Sequence, residues 1–239
     1  MSGDPITRPK LFQEVAKRIE RQILNGQFKI GDHLPSERDL MTYYTVGRPA
    51  IREALFSLQK AGLIVINSGE RARVTAPSTE TILSELSITA RYMLGQPGGV
   101  RSFQQARLLF EVALARYAAQ HASAANIKKL AAALDANEKA IGTASEFERT
   151  DVAFHYAIAE IPNNPIFLAL HNALAAWLVE QRTTSLRSAG AERDAFFAHS
   201  RIFKLIKAGD PDGAAKAMED HLEQVVVHYW REKDADAGT

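Results

Sequence analysis

Between Leu34 and Leu55 the chain reads LPSERDLMTYYTVGRPAIREAL, and its punctuation specifies two short helices joined by a tight turn. Ser36 is placed to cap the first helix, with Asp39 three residues on completing a weaker form of the capping box. That helix ends near Tyr44, Thr45-Val46-Gly47 makes the turn, and Pro49 suits the first turn of the helix that follows. Ile51, Ala54, Leu55 and Leu58 form the second helix's apolar stripe, which stops at Gly62. Arg48 and Arg52, one helical turn apart, stand beside that stripe rather than in it.

The flanks complete a module. Leu11, Val15, Ile19 and Ile23 recur at every fourth position, which marks a helix with one apolar face, ended near Gly26. After Gly62, Leu63–Thr75 holds two β-rich runs around Asn67-Ser68-Gly69, the turn chemistry of a hairpin. Helix, helix, turn, helix and hairpin make a winged helix-turn-helix over residues 1–77, with a hinge at Ala76-Pro77-Ser78. From residue 79 on the periodicity is helical throughout, roughly 79–94, 100–121, 123–141, 145–160, 164–187, 192–208 and 211–232. The breaks are turn-forming: Gly95-Gln-Pro-Gly-Gly99, Pro162-Asn-Asn-Pro165 and Gly209-Asp-Pro-Asp212. Short links between such helices predict a mainly α protein whose second domain, residues 78–239, is an all-α antiparallel bundle.

Charge is divided unevenly between these parts. Residues 1–77 carry 12 Lys and Arg against 8 Asp and Glu, and the remaining residues carry 17 against 20, although the net charge is only +1. The basic front predicts an anionic partner there. The second helix of such a pair enters the DNA major groove by its N-terminal end, where Arg48 and Arg52 lie. A guanidinium there can pair with guanine O6 and N7 or grip phosphate, and the small Ala50 lets the backbone come close. Arg38, on the preceding helix, faces the phosphates, and Gly69 lets the wing tip approach a groove with Arg71 and Arg73 behind it. The competing account is a set of surface salt bridges, Arg48 or Arg52 with Glu53 or Glu37. Three arginines on one supersecondary pattern, with a charged wing, favour double-stranded DNA.

The chain of 239 residues has no cysteine, so it has neither disulfides nor thiolate metal sites. No apolar run is long enough to span a bilayer, and Met1-Ser-Gly-Asp-Pro lacks the form of a secretory signal. A cytoplasmic protein with no membrane partner is the expectation.

The rear domain holds an oddity. Asp151 and His155 share a helix face with Phe147, Phe154 and Ile158. His199 lies on the stripe of Phe196, Ile202, Phe203 and Ile206, and His221 sits with Met218, Leu222 and Val225. One histidine on such a stripe is ordinarily a core residue, but a core-facing carboxylate is costly unless partnered. One Asp and three His turned inward from three helices can meet that cost by binding one divalent ion per chain. Zinc suits three imidazoles and a carboxylate, with nickel or manganese also fitting. Arg107 is inward too, stacked with Phe103, Phe110 and Leu114, and it either pairs internally with Glu111 or clamps an anionic ligand. Arg182, after Trp177, is a further pocket candidate. His33, His121, His171 and His228 have no comparable company and read as structural or exposed.

The stretch PSERDLM…VGRPAIREALFSLQKAGLI resembles the DNA-binding module of the GntR family of bacterial transcription regulators, over about residues 10–75. The rear domain resembles the all-helical effector domain, FCD, of the FadR subfamily. The marks are Arg107-x-x-x-Glu111, Asp151-x-x-x-His155, NNPIF from Asn163 and GDPDGAAKAMEDHL from Gly209. Within that subfamily VGRPAIREAL, NSGERARV and LGQPGGV are most similar to the sialic-acid-responsive repressors. Gly47, where many of the family carry Ser, and SGERARV, where many have a second wing glycine, are departures shared with that branch. The resemblance implies that Arg38, Arg48, Arg52, Ser68 and Gly69 touch operator DNA. It implies that Asp151, His155, His199 and His221 hold the metal, which in turn holds an effector carboxylate near Arg107 and Arg182. A ligand-responsive repressor acting as a homodimer is the leading expectation. The same regulator sensing another sugar acid or hydroxy acid is the alternative, and an acyl-CoA sensor is disfavoured. A helical metallohydrolase is a third class, opposed by a single metal's worth of ligands and no separate general base.

Overall fold

The computed structural model describes residues 10–76 and 79–237, with the side chains of 79–86 and 237 left aside. Among the described residues it has eleven helices and one two-stranded sheet. The chain divides into two compact units, Met1–Ser84 and Glu85–Thr239. Of the hinge tripeptide only Ala76 is described, and Pro77 and Ser78 lie outside the described residues.

In the first unit α1 (Leu11–Leu24) and α2 (Glu37–Tyr44) both pack on α3 (Arg48–Lys60). Ser36 caps α2 with its hydroxyl, while Asp39 reaches back to the Ser36 backbone, so the weak capping box is a formed one. Thr45 then turns the chain in the left-handed region, at φ 54, and Pro49 stands in the first turn of α3. The apolar stripe of α3 closes a core with Val15, Ile19, Leu34 and Leu40. Leu11 lies outside that core, exposed, and Phe12 packs against it instead. The wing is β1 (Ile64–Val65) antiparallel to β2 (Arg73–Val74), shorter than the β-rich runs, with a bridge from His33 to Arg73 widening the sheet. Its tip turns between Asn67 and Glu70, and Gly69 sits there at φ +80, where a Cβ would be strained.

The second unit holds α4 (Thr79–Leu94) from Glu85 on, then α5 (Gly99–His121), α6 (Ala124–Lys139) and α7 (Ala144–Ala159). They are followed by α8 (Pro165–Trp177), α9 (Val179–Ser185), α10 (Ala191–Ala208) and α11 (Pro211–Ala237). The single helix expected over 164–187 is two, broken at Leu178, whose backbone leaves helical geometry at φ −100, ψ 22. No proline or glycine marks that break, which explains why sequence periodicity passed over it. At the other end of α8 the turn is as the residues suggest: Asn164 Oδ1 accepts from the Ile166 amide, and Asn163 takes φ 49. α11 packs on α5, α9 and α10, and α6 packs on α7, around a core that includes Leu114, Leu130, Phe154, Ile202 and Met218. No helix among the described residues is long and apolar enough to cross a membrane.

Candidate metal centre and nucleic-acid interface

In the first unit Arg38, Arg48, Arg52 and Arg71 line one groove, together with the carboxylates of Glu37 and Glu70. All four arginines are exposed. Glu37 holds two of them, with Arg48 Nε 2.8 Å from one carboxylate oxygen and Arg52 Nε 3.8 Å from the other. The salt-bridge account and the groove therefore coexist, because exposed pairs of this kind are worth only about 0–1 kcal/mol and give way to a better partner. Ser68 and Gly69 are exposed at the wing tip and do not line this groove; Glu70 and Arg71 do.

In the second unit the four inward residues meet. Asp151 and His155 come from α7, His199 from α10 and His221 from α11; all are buried, with one donor atom of each within 4.8 Å of the others. His199 Nε2 stands 3.2 Å from His155 Nε2, 3.2 Å from His221 Nε2 and 3.5 Å from Asp151 Oδ1. Phe154 stacks on the His199 ring, and the His155 and His221 rings stack on each other.

The protons decide what such a cluster can hold. Thr150 Oγ1 donates to backbone carbonyls of its own helix and accepts from Asn137 Nδ2 at 3.1 Å. That fixes the Asn137 amide so that its Oδ1 faces His199 Nδ1, at 2.9 Å, and requires the proton on that ring nitrogen. On the other side His155 Nδ1 lies 2.5 Å from Glu111 Oε2. Burial alone would raise the Glu111 pKa, but Arg107 and His155 hold it well below the usual carboxylate range. An ionised carboxylate needs a donor, so His155 also carries its proton on Nδ1. Burial and the neighbouring imidazoles push His199 and His221 well down, to their neutral forms. His199 Nε2, left without a proton, thus faces His155 Nε2 and His221 Nε2 at 3.2 Å each. Three imidazoles and a carboxylate gathered this closely are a donor set that fits a divalent cation.

Beside the cluster is a cavity lined by Arg107, Asp151, Arg182, His221, Gln224 and His228, among others. Arg107 gives Nε to Glu111 at 2.8 Å. Burial would lower its pKa, yet Glu111 and Asp151 outweigh burial and raise it. Arg182 bonds the Ala175 carbonyl through Nη2 and lies 3.6 Å from carboxylate oxygens of both Glu148 and Asp151. Its pKa is lowered, chiefly by burial. Both charged clamp candidates therefore reach the same cavity as two of the cluster's side chains.

Several residues were hidden from sequence reasoning. His228 is not without company: it lines the cavity, 3.6 Å from Asp194. His171 is buried, edge-on to Tyr156, and burial drives its pKa down to about 4. Glu111 was legible as a partner of Arg107 but not of His155, and Asn137 gave no sign at all. Those contacts depend on which helix lies against which, and neither residue's spacing encodes that. His33 and His121 are exposed, as expected.

Residues 11–74 match the family described as "Bacterial regulatory proteins, gntR family", and residues 103–224 match the FCD domain. Among curated relatives, the HTH-type transcriptional repressor NanR of Escherichia coli is 45% identical over 223 residues, covering 92% of this chain and 85% of the relative. NanR of Klebsiella aerogenes is 45% identical over 229 residues, covering 95% and 88%. Among solved structures, Streptococcus agalactiae GntR superposes with TM-score 0.63 at 23% identity, covering 90% of this chain and 98% of that one. Escherichia coli McbR/YncC does so with TM-score 0.53 at 15% identity, covering 95% and 100%. At those identities the structures speak for the fold alone. The matched domains and the curated repressors are those of regulators, not of enzymes, which removes the metallohydrolase. An identity of 45% over 92% of the chain settles the descent: the chain belongs to the GntR family of bacterial transcription regulators, and its second unit carries the FCD domain.

Proposed function

We propose that this regulator is a metal-containing repressor that binds operator DNA as a homodimer in the cytoplasm and answers to a small carboxylate, a sialic acid. The observation that carries the effector part is the cavity where Arg107 and Arg182 meet Asp151 and His221. Two guanidiniums against one anionic group, with Gln224, Ser185 and the Asp194–His228 pair further along, suit a ligand with one strong anionic end and many hydroxyls. Asp151, His155, His199 and His221 would hold the ion, zinc by preference, and a bound ion would offer a Lewis-acidic anchor for the carboxylate. Arg107 and Arg182 orient that carboxylate, and Glu111 keeps Arg107 in place.

The DNA part rests on the groove of the first unit. Arg48 and Arg52 stand exposed at the N-terminal end of α3, the end that helix-turn-helix proteins set against base edges. Arg38 and Arg71 on the walls of the groove suit phosphate contacts. Two half-sites on DNA call for two copies of this module at fixed spacing, hence the homodimer.

The test uses the full chain loaded with Zn(II). Elemental analysis should find about one ion per chain, and fewer after His199→Ala or His221→Ala. Titration calorimetry with N-acetylneuraminic acid should give saturable heat, and the acid should weaken binding to DNA selected by the protein from a random pool. Heat from a hexuronate or a hydroxy acid and none from the sialic acid would change the effector and leave the DNA reading intact.

A further inference from the structure

Glu111 has two carboxylate oxygens and spends them on different partners. Oε1 accepts from Arg107 Nε at 2.8 Å, and Oε2 meets His155 Nδ1 at 2.5 Å. That second approach is an ion-pair contact, and neither Glu111 Oε2 nor His155 Nδ1 has a hydrogen-bond partner among the described residues. All three side chains are buried. We infer that Glu111 is the positioning residue that makes His155 a metal donor, and that Arg107, on the effector cavity, holds Glu111 for that task.

The inference rests on the metal part of the proposed function and goes past it, because it gives a cavity residue control over the ion. Consider first what His155 needs. To offer Nε2 to a cation its proton must stay on Nδ1, and its ring must keep one orientation. For His199 a neutral amide, Asn137, does this. For His155 the partner is a carboxylate, which fixes the tautomer and also makes the imidazole a stronger donor.

A carboxylate in so dry a place needs a cation of its own. Arg107 supplies it from one turn away on α5, and it does so through Nε alone. No hydrogen bond to its terminal nitrogens is found among the described residues, and the residue lines the cavity. One guanidinium can therefore hold Glu111 on one edge and an anion on the other. Arg107, Glu111 and His155 thus form a continuous polar path from cavity to cluster, two helices wide.

The consequence is unexpected for a residue placed to grip the effector. Changing Arg107 should weaken the metal even when no effector is present. The experiment is a chelator competition for Zn(II) on the full chain without any organic acid, using wild type, Arg107→Gln, Glu111→Gln and the charge-neutral double variant Arg107→Gln/Glu111→Gln. All three variants should lose Zn(II) affinity by about 10–100-fold, and an Arg107→Gln chain that keeps wild-type affinity would remove Arg107 from the path. The double variant leaves no unpaired buried charge, so it keeps the comparison open if a single variant folds poorly. The second readout is the long-range ¹H–¹⁵N imidazole spectrum of the metal-free chain. His155 should show the Nδ1–H tautomer in wild type and a mixture in Glu111→Gln, a change that mere loss of packing would not produce.

If the variants bind Zn(II) as wild type does, or if His155 keeps one tautomer in all of them, Glu111 has no positioning role. A wild-type chain that takes up no Zn(II) at all would instead remove the metal reading, and this inference with it.

Discussion

Arg48 Nε donates to Glu37 Oε2 at 2.8 Å, so the N-terminal end of α3 is tied to the first residue of α2. Arg52 approaches the other oxygen of the same carboxylate. One acid thus gathers the two guanidiniums that are proposed to meet base edges, and it does so with a polyanion as the intended partner. Glu37→Gln should have two opposite effects. Loss of a carboxylate beside phosphates should tighten binding to random DNA. Loss of the shared tether should leave the arginines less ordered, so the ratio of selected to random affinity falls. Folding stability should change by less than about 1 kcal/mol, since the pairs are exposed. Fluorescence anisotropy on both DNAs at matched salt measures the ratio, and an unchanged ratio would mean that Glu37 orders nothing.

The arginines themselves should divide by role. Arg48→Ala or Arg52→Ala should each cost roughly 1–3 kcal/mol on selected DNA and relax the preference at one base position. Arg38→Ala should weaken all sequences alike and lower the slope of log affinity against log salt by about 1. Equal losses on selected and random DNA for all three variants would reduce the groove to a phosphate grip.

How much of this was legible in the sequence differs between the units. The first unit's helices are set by local chemistry: the Ser36–Asp39 cap, the proline at the start of α3 and a clean apolar stripe. Such signals act within a turn or two, and the sequence displays them. The convergence of Asp151, His155, His199 and His221 was also visible, because each polar residue interrupts an apolar stripe and must be accounted for inside the core. What could not be read were contacts made only when helices pair. Glu111 against His155 joins α5 to α7, and Asn137 against His199 joins α6 to α10. The break at Leu178 likewise has no breaker residue to announce it.

His171 gives a prediction in pH. Burial places its folded pKa at about 4, while in the unfolded chain it titrates near the ordinary 6.5. Above pH 6.5 both states are neutral there and the folded state is not penalised. As pH falls toward 4 the unfolded chain takes up the proton first, so stability is lost across that window and levels off below it. Between pH 7 and pH 5 this one group should cost roughly 2 kcal/mol. His171→Phe keeps a ring against Tyr156 and cannot titrate. Urea unfolding of the metal-free chain, followed by the fluorescence of Trp177 and Trp230, should show a smaller loss in the variant by about that amount. Parallel losses in the two proteins would mean that His171 is reached by water and protonates freely.

The effector prediction joins both units. If N-acetylneuraminic acid sits with its carboxylate between the ion and the guanidiniums, its affinity is shared among anchors that can be removed singly. Arg182→Ala should weaken the acid by at least tenfold, since charge-assisted hydrogen bonds of this kind are worth about 1.5–3 kcal/mol. The same substitution should leave the free protein's affinity for selected DNA largely unchanged, because Arg182 lies in the second unit and the proposed readers lie in the first. In wild type the saturating acid should lower DNA affinity by a factor typical of coupled sites, roughly 5–150-fold, and DNA should lower affinity for the acid by the same factor. That reciprocity makes the measurement self-checking. An acid that binds the second unit with full affinity in the presence and absence of DNA is a ligand but not an effector. Should Arg182→Ala bind the acid as wild type does while Arg107→Ala does not, the carboxylate is held on the α5 side of the cavity alone.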